Sequence, residues 1–170
     1  MTVSPRIRQL VLTAHVTCSV GWLGAIAAFV VLAVTGLTSE DVDRVRGAYL
    51  LMEPIGWFVL VPLAVASLLT GLLQSLVTSW GLLRHYWVLF KLLINVVATA
   101  VLVMYMPTLA SLAELAAEGA VAGDDVGVNR SASPLIHACL GLGLLLVATV
   151  LALYKPRGVT PWARRGNETT

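Results

Sequence analysis

A lysine and a histidine occupy positions where neither belongs unless something holds it. Lys91 lies inside the apolar run Trp87-Val88-Leu89-Phe90-Lys91-Leu92-Leu93-Ile94-Asn95, and it is one of two lysines in a chain with nine arginines. An ammonium carried into hydrocarbon costs several kcal/mol, so an intramembrane lysine is a candidate site residue by default. Its place within two turns of the helix start also allows the plainer reading, in which the side chain snorkels to the interface with no further role. His15 sits in a second apolar run, with Cys18, Ser19 and Trp22 at i+3, i+4 and i+7 on one helical face. At 1.5 Å per residue, His15 lies about 9 Å and Lys91 roughly 6–8 Å from the same membrane face. Ser67, Gly71, Gln74 and Thr78 form a small and polar stripe on another helix. These depths predict one polar pocket built from His15, Gln74, Thr78, Lys91 and Asn95, although a core histidine bonded to a neighbouring carbonyl or to Gln74 would look the same.

A second group belongs to the opposite half. His137 follows Pro134 by three residues, Glu53 stands beside Met52 and Pro54, and Met104, Tyr105 and Met106 close a third apolar run. Imidazole with thioethers suits soft Cu(I), so His137, Met104, Met106 and Glu53 make an alternative copper site; packing methionines and a helix-start glutamate are the competing readings. His15 and His137 differ in depth by roughly 20 Å on antiparallel helices. A single iron, with metal–nitrogen bonds of about 2 Å, cannot take both.

The elements that must position these residues follow from composition. The 170 residues are 58% hydrophobic and only 12% charged, with a mean hydropathy of +0.88, far from the roughly 25% charged residues of soluble domains. Four stretches exceed the roughly 20 residues needed to cross a bilayer. They are about Gln9–Leu37, Tyr49–Thr78, Trp87–Pro107 and Pro134–Tyr154, predicting an all-α integral membrane four-helix bundle in a single domain 1–170. Pro54 and Pro62 predict a bend in the second helix, and Pro107 the end of the third. Leu109, Leu112 and Leu115 or Ala116 then predict a short amphipathic helix in the outer loop, ended by Gly119 and by Gly123-Asp124-Asp125. Ser39 is the expected N-cap in a charged loop spanning Thr38–Ala48.

Arg6, Arg8, Arg84, Lys155, Arg157, Arg164 and Arg165 flank one side, and Arg44, Arg46 and Arg130 the other. The positive-inside rule therefore places both termini in the cytoplasm. The net charge of +2 reflects this topology and carries no implication of nucleic-acid binding. Cys18 and Cys139 fall at different depths, too far apart for a disulfide. The partners expected are the lipid bilayer and a tetrapyrrole or metal, with a homo-oligomer or a membrane partner protein left open.

The run His15-Val16-Thr17-Cys18-Ser19-Val20-Gly21-Trp22-Leu23-Gly24 resembles the first-helix signature of a group of bacterial four-helix membrane proteins. The group includes the HemJ-type protoporphyrinogen oxidases, the membrane domain of CopD-type copper-resistance proteins and the DUF2269 proteins. Trp87-Val88-Leu89-Phe90-Lys91 is similar to the Trp-x-x-x-Lys of the HemJ type. The resemblance implies a bacterial plasma-membrane location, bound haem b, and a requirement for His15 and Lys91. On that basis His15 is the expected axial ligand and Lys91 a second ligand or a cation paired with a propionate, with Trp22, Gln74 and Asn95 as the expected pocket residues. This chain departs from the HemJ type in two places: Ala25–Val34 replaces an arginine- and tyrosine-containing stretch, and Tyr105 stands where that type tends to have a histidine. The departures remove the support for porphyrinogen oxidation and leave haem binding, for electron transfer, sensing or haem handling, as the leading expectation. Copper handling and a cofactor-free scaffold or partner subunit are the alternatives.

Overall fold

A computed structural model describes residues 4–77, 85–118 and 130–154. Within them the chain is all-α: α1 (Pro5–Thr38), α2 (Val42–Ile55), a π-helical turn (Gly56–Leu60), α3 (Val61–Val77), α4 (Tyr86–Ala117) and α5 (Ser133–Tyr154). α2, the π turn and α3 run on as one span, which gives four helices long and apolar enough to cross a membrane. In each, no more than 28% of the most apolar stretch is buried inside the protein. Helices this apolar on all sides need a lipid solvent around them. The chain is thus a multi-pass membrane protein with four candidate spans.

Each span packs against the spans before and after it, and α5 closes the ring against α1. The backbones on the two diagonals, α1 with α4 and α2–α3 with α5, do not meet among the described residues. The interior between them is filled by side chains, with Trp22 and Phe29 of α1 and Tyr105 and Leu109 of α4 in one buried cluster. The start of α1 and the end of α5 share one end of the bundle, here called the terminal end; the α1–α2 and α4–α5 connections form the loop end.

Three expectations about helix ends change. The second span begins at Val42, not Tyr49, because Asp41 caps it: its carboxylate accepts from the N–H groups of Asp43 (3.0 Å) and Arg44 (3.3 Å). Ser39 is the C-cap of α1 instead, so the charged loop shrinks to a tight connection and Glu53 lies deep within a helix. The third helix passes through Pro107 to Ala117 without a break. Met106 and Leu109, each 1% exposed, anchor the chain on both sides of that proline, and packing of this kind outweighs the lost N–H of one residue. The amphipathic segment is therefore the last turns of α4. Its stripe Leu109, Leu112, Ala113, Ala116 packs against α2, whose own stripe is Val45, Ala48, Tyr49, Met52. Gly119 and Gly123–Asp125, the expected stops, lie outside the described residues, as do Thr78, Arg84 and Lys155–Arg165.

The prolines of the second span flank the π turn. Pro62 brings no N–H to the ladder, and the Val61 N–H bonds to the Gly56 carbonyl five residues back. The buried positions Met52, Gly56, Leu60 and Ala64 are spaced by four, which would drift by about 40° per step in a 3.6-residue helix. The wider turn absorbs part of that drift and keeps the stripe facing α1 and α4. Gly56 permits the close approach there, since an added Cβ would fall 2.7 Å from Met106 Cε.

Candidate functional site

The first and second spans meet at the terminal end through a ladder of polar side chains. Ser19 Oγ and Ser67 Oγ are 2.9 Å apart, with Ser67 1% exposed. One turn closer to the terminal end, His15 Nδ1 lies 3.2 Å from Thr70 Oγ1. The Thr70 hydroxyl has a single proton and directs it at the carbonyls of Ala66 (2.6 Å) and Ser67 (3.2 Å) on its own helix. Toward His15 it is therefore an acceptor, and the His15 Nδ1–H donates to it. That tautomer leaves Nε2 with its unshared pair. The ring lies flat enough against α3 that a Cβ added to Gly71 would stand 3.0 Å from His15 Cε1. Glycine is what lets an imidazole sit between these helices.

Lys91 reaches this layer from α4, and its charge acts on His15. Its Nζ also stands over the Trp87 ring, 5.8 Å from the centroid. The side chain thus folds back along α4 toward the N-terminal end of that helix, the direction every helical Cα–Cβ bond favours. Trp87 is 8% exposed beneath it, and His85 tilts against the same indole with ring centroids 6.4 Å apart.

Asn95 is half-buried one turn above Lys91 on α4, and its Oδ1 is buried without a hydrogen-bond partner. Thr99 Oγ1, one turn further, is in the same position. Gln74 is half-buried on α3, one turn from Thr70 toward the terminal end. His15, Gln74, Lys91 and Asn95 all lie in the halves of their helices nearer the terminal end. Thr70 was missed from the sequence, because one threonine in an apolar helix gives no signal until its register against His15 is known.

Trp22 is on the His15 face but two turns along. It is 1% exposed and lines a cleft of about 190 Å³ between α1, α4 and α5. Its indole Nε1 is buried with no hydrogen-bond partner.

The loop-end group does not assemble. Met104 is 79% exposed on the outside of α4, whereas Met106 is 1% exposed against the second span. Two residues apart on a helix, they point about 200° from each other, so one ion cannot take both. Glu53 is on α2, whose backbone never meets α5, the helix that carries His137. The His137 Nδ1–H donates to the Ser133 carbonyl (2.9 Å), and its ring stacks on Tyr105 with centroids 3.9 Å apart. Tyr105 in turn donates to Ser133 Oγ at 2.9 Å. Among the described residues, no group of three or more His, Cys, Asp or Glu is placed to hold a metal ion, and Cys18 and Cys139 are free thiols.

No protein-family model, curated protein or solved structure matches this chain. No family is identified, and the likeness to the HemJ and CopD types stays confined to the short motifs around His15 and Lys91. The functional reading has to come from the site.

Proposed function

We propose that this four-span protein binds haem b, or a related tetrapyrrole, in its terminal half, with His15 Nε2 as axial ligand. The observation that carries the reading is the His15–Thr70 bond at 3.2 Å. Metal-ligating histidines characteristically donate their other ring N–H to a fixed acceptor, which sets tautomer and ring orientation. Ligand number favours a tetrapyrrole over a bare ion. A bare ion needs three or four protein donors, and this layer offers one imidazole, whereas a haem brings four nitrogens of its own.

Lys91 is the cation for a propionate, by a charge-assisted hydrogen bond that a lysine in low dielectric makes well. Asn95 Oδ1, buried and unpartnered, marks a position built for a group the protein does not itself supply. A haem bound there would supply one-electron chemistry or a site for a small gaseous ligand. Of the protein's own residues, His15 would hold the iron and Lys91 would neutralise a carboxylate. In this reading the half lies in the cytoplasmic leaflet with both termini inside, which the excess of basic residues flanking that side supports.

An absorption spectrum of the detergent-purified protein, before and after dithionite and after hemin addition, tests the proposal. A Soret band that sharpens on reduction, absent in His15→Ala and weakened in Lys91→Met but less so in Lys91→Arg, is the expected result. Protein that stays colourless and takes up no added hemin ends it.

A further inference from the structure

The Trp22 cleft is a second site, independent of the His15 layer, and we infer that it takes the ring of a membrane quinol. Its size sets the first limit. An engineered apolar cavity of about 150 Å³ holds one benzene, and the cleft, at about 190 Å³, has room for one six-membered ring with small substituents. Access sets the second. Leu140 and Leu144 of α5 line the cleft and are also exposed on the lipid-facing surface, so a tail on the ring can leave sideways into the bilayer without crossing a headgroup layer.

The polar atoms select the ligand class. The walls include the aromatic rings of Trp22, Phe29, Tyr105 and His137, which suit a flat ring by offset stacking. The Trp22 indole N–H, in a side chain 1% exposed, has no acceptor among the described residues. A buried donor left unpaired is costly, and an oxygen on a ligand in the cleft supplies what it lacks. His137, exposed at the rim of the cleft, offers the opposite chemistry. Because its Nδ1–H is spent on the Ser133 carbonyl at 2.9 Å, Nε2 is left to accept from a hydroxyl. A quinol has hydroxyls that donate and oxygens that accept on one ring. An acyl chain has neither, and a quinone lacks the donor.

Binding of 2-decyl-1,4-benzohydroquinone and of decylbenzene to the purified protein in nanodiscs, measured by equilibrium competition under anaerobic conditions, separates these. The quinol is expected to bind saturably, with Trp22→Phe, which keeps the ring and removes the N–H, weakening it about tenfold. Decylbenzene is expected to bind more weakly and to be indifferent to that substitution. Gly141→Leu should abolish saturable binding. A Cβ at Gly141 meets only Ile26 Cδ1, at 3.8 Å, so the helix accepts it and the longer branches occupy the cleft. Trp57→Phe, on the lipid face, should change nothing. Equal affinity for the two probes, an unaltered quinol affinity in Trp22→Phe, or no saturable binding to the parent protein each overturns the inference. Loss of haem in the experiment of the preceding section leaves it standing, because none of its residues belongs to the His15 layer.

Discussion

The two ends of the bundle treat buried polar groups in opposite ways. At the loop end, side chains on one helix complete the backbone of another. Arg130 Nη1 donates to the Leu37 carbonyl at the close of α1, and Arg46 Nη2 to the Ala117 carbonyl at the close of α4, both at 3.0 Å. Each cation sits where a helix C-terminus carries partial negative charge and unpaired carbonyls. The Tyr49 hydroxyl, in a side chain 1% exposed, accepts from the Ser131 N–H at 3.1 Å. Tyr105 Oη and His137 Nδ1 both donate to Ser133, the first to its hydroxyl and the second to its carbonyl. Among the described residues, Arg130 Nε is buried at this end without a partner, and the Trp22 indole Nε1 is likewise unpartnered nearer mid-span. In the spans nearer the terminal end, Asn95 Oδ1 and Thr99 Oγ1 are buried and find none. Satisfied networks hold a fold together, whereas unsatisfied buried groups lower its stability and persist where a ligand completes them. His137 and His15 show the difference in one residue type: the first is exposed and bonds through Nδ1 within its own helix, the second is half-buried and bonds through Nδ1 to a neighbouring helix.

The sharpest way to break this contrast leaves His15 in place. Gly71→Val adds a Cβ that would stand 3.0 Å from His15 Cε1 and two methyls beyond it, so the ring must move and haem uptake should fall at least tenfold, read from the Soret absorbance per protein. Full uptake by the valine variant would show that His15 does not need its seat against α3. At the other end, Tyr49→Phe strands the Ser131 N–H and should cost about 1–3 kcal/mol in unfolding free energy, with unchanged haem content. Loss of haem together with stability would mean that the two ends are coupled.

Asn95→Leu carries an effect of opposite sign. Removing an unpaired buried acceptor should stabilise the haem-free protein by about 1 kcal/mol while weakening haem uptake. If the leucine variant were less stable, Asn95 would belong with the loop-end residues as a structural group. The smallest effect expected is that of Ser19→Ala, which removes one interhelical hydrogen bond worth about 0.6 kcal/mol in a membrane and should leave the spectrum untouched.

Much of the site was legible because depth is a linear reading of a helix. Counting residues from the span ends puts His15, Gln74, Lys91 and Asn95 at one level and His137 at another. What could not be counted was direction. Met104 and Met106 are neighbours in a string and opposites on a helix, so the proposed copper ligands dissolve once α4 is packed. Trp22 shares a face with His15, yet its ring lines a different space because the backbones of α1 and α4 do not meet and leave a cleft between them. Helix ends were misjudged where a polar residue had two possible roles. Asp41 won the N-cap from Ser39, and Pro107, which reads as a stop, was overridden by packing on both sides.

Composition alone determined that this chain is helical and has four candidate membrane spans, because hydropathy and length are properties of each segment and need no partner. Only the tertiary structure decided which polar atoms are spent and which are left over. Satisfaction of a buried donor or acceptor depends on a second chain segment arriving within hydrogen-bond distance, as Thr70 does for His15 Nδ1 at 3.2 Å and as nothing described does for Asn95 Oδ1.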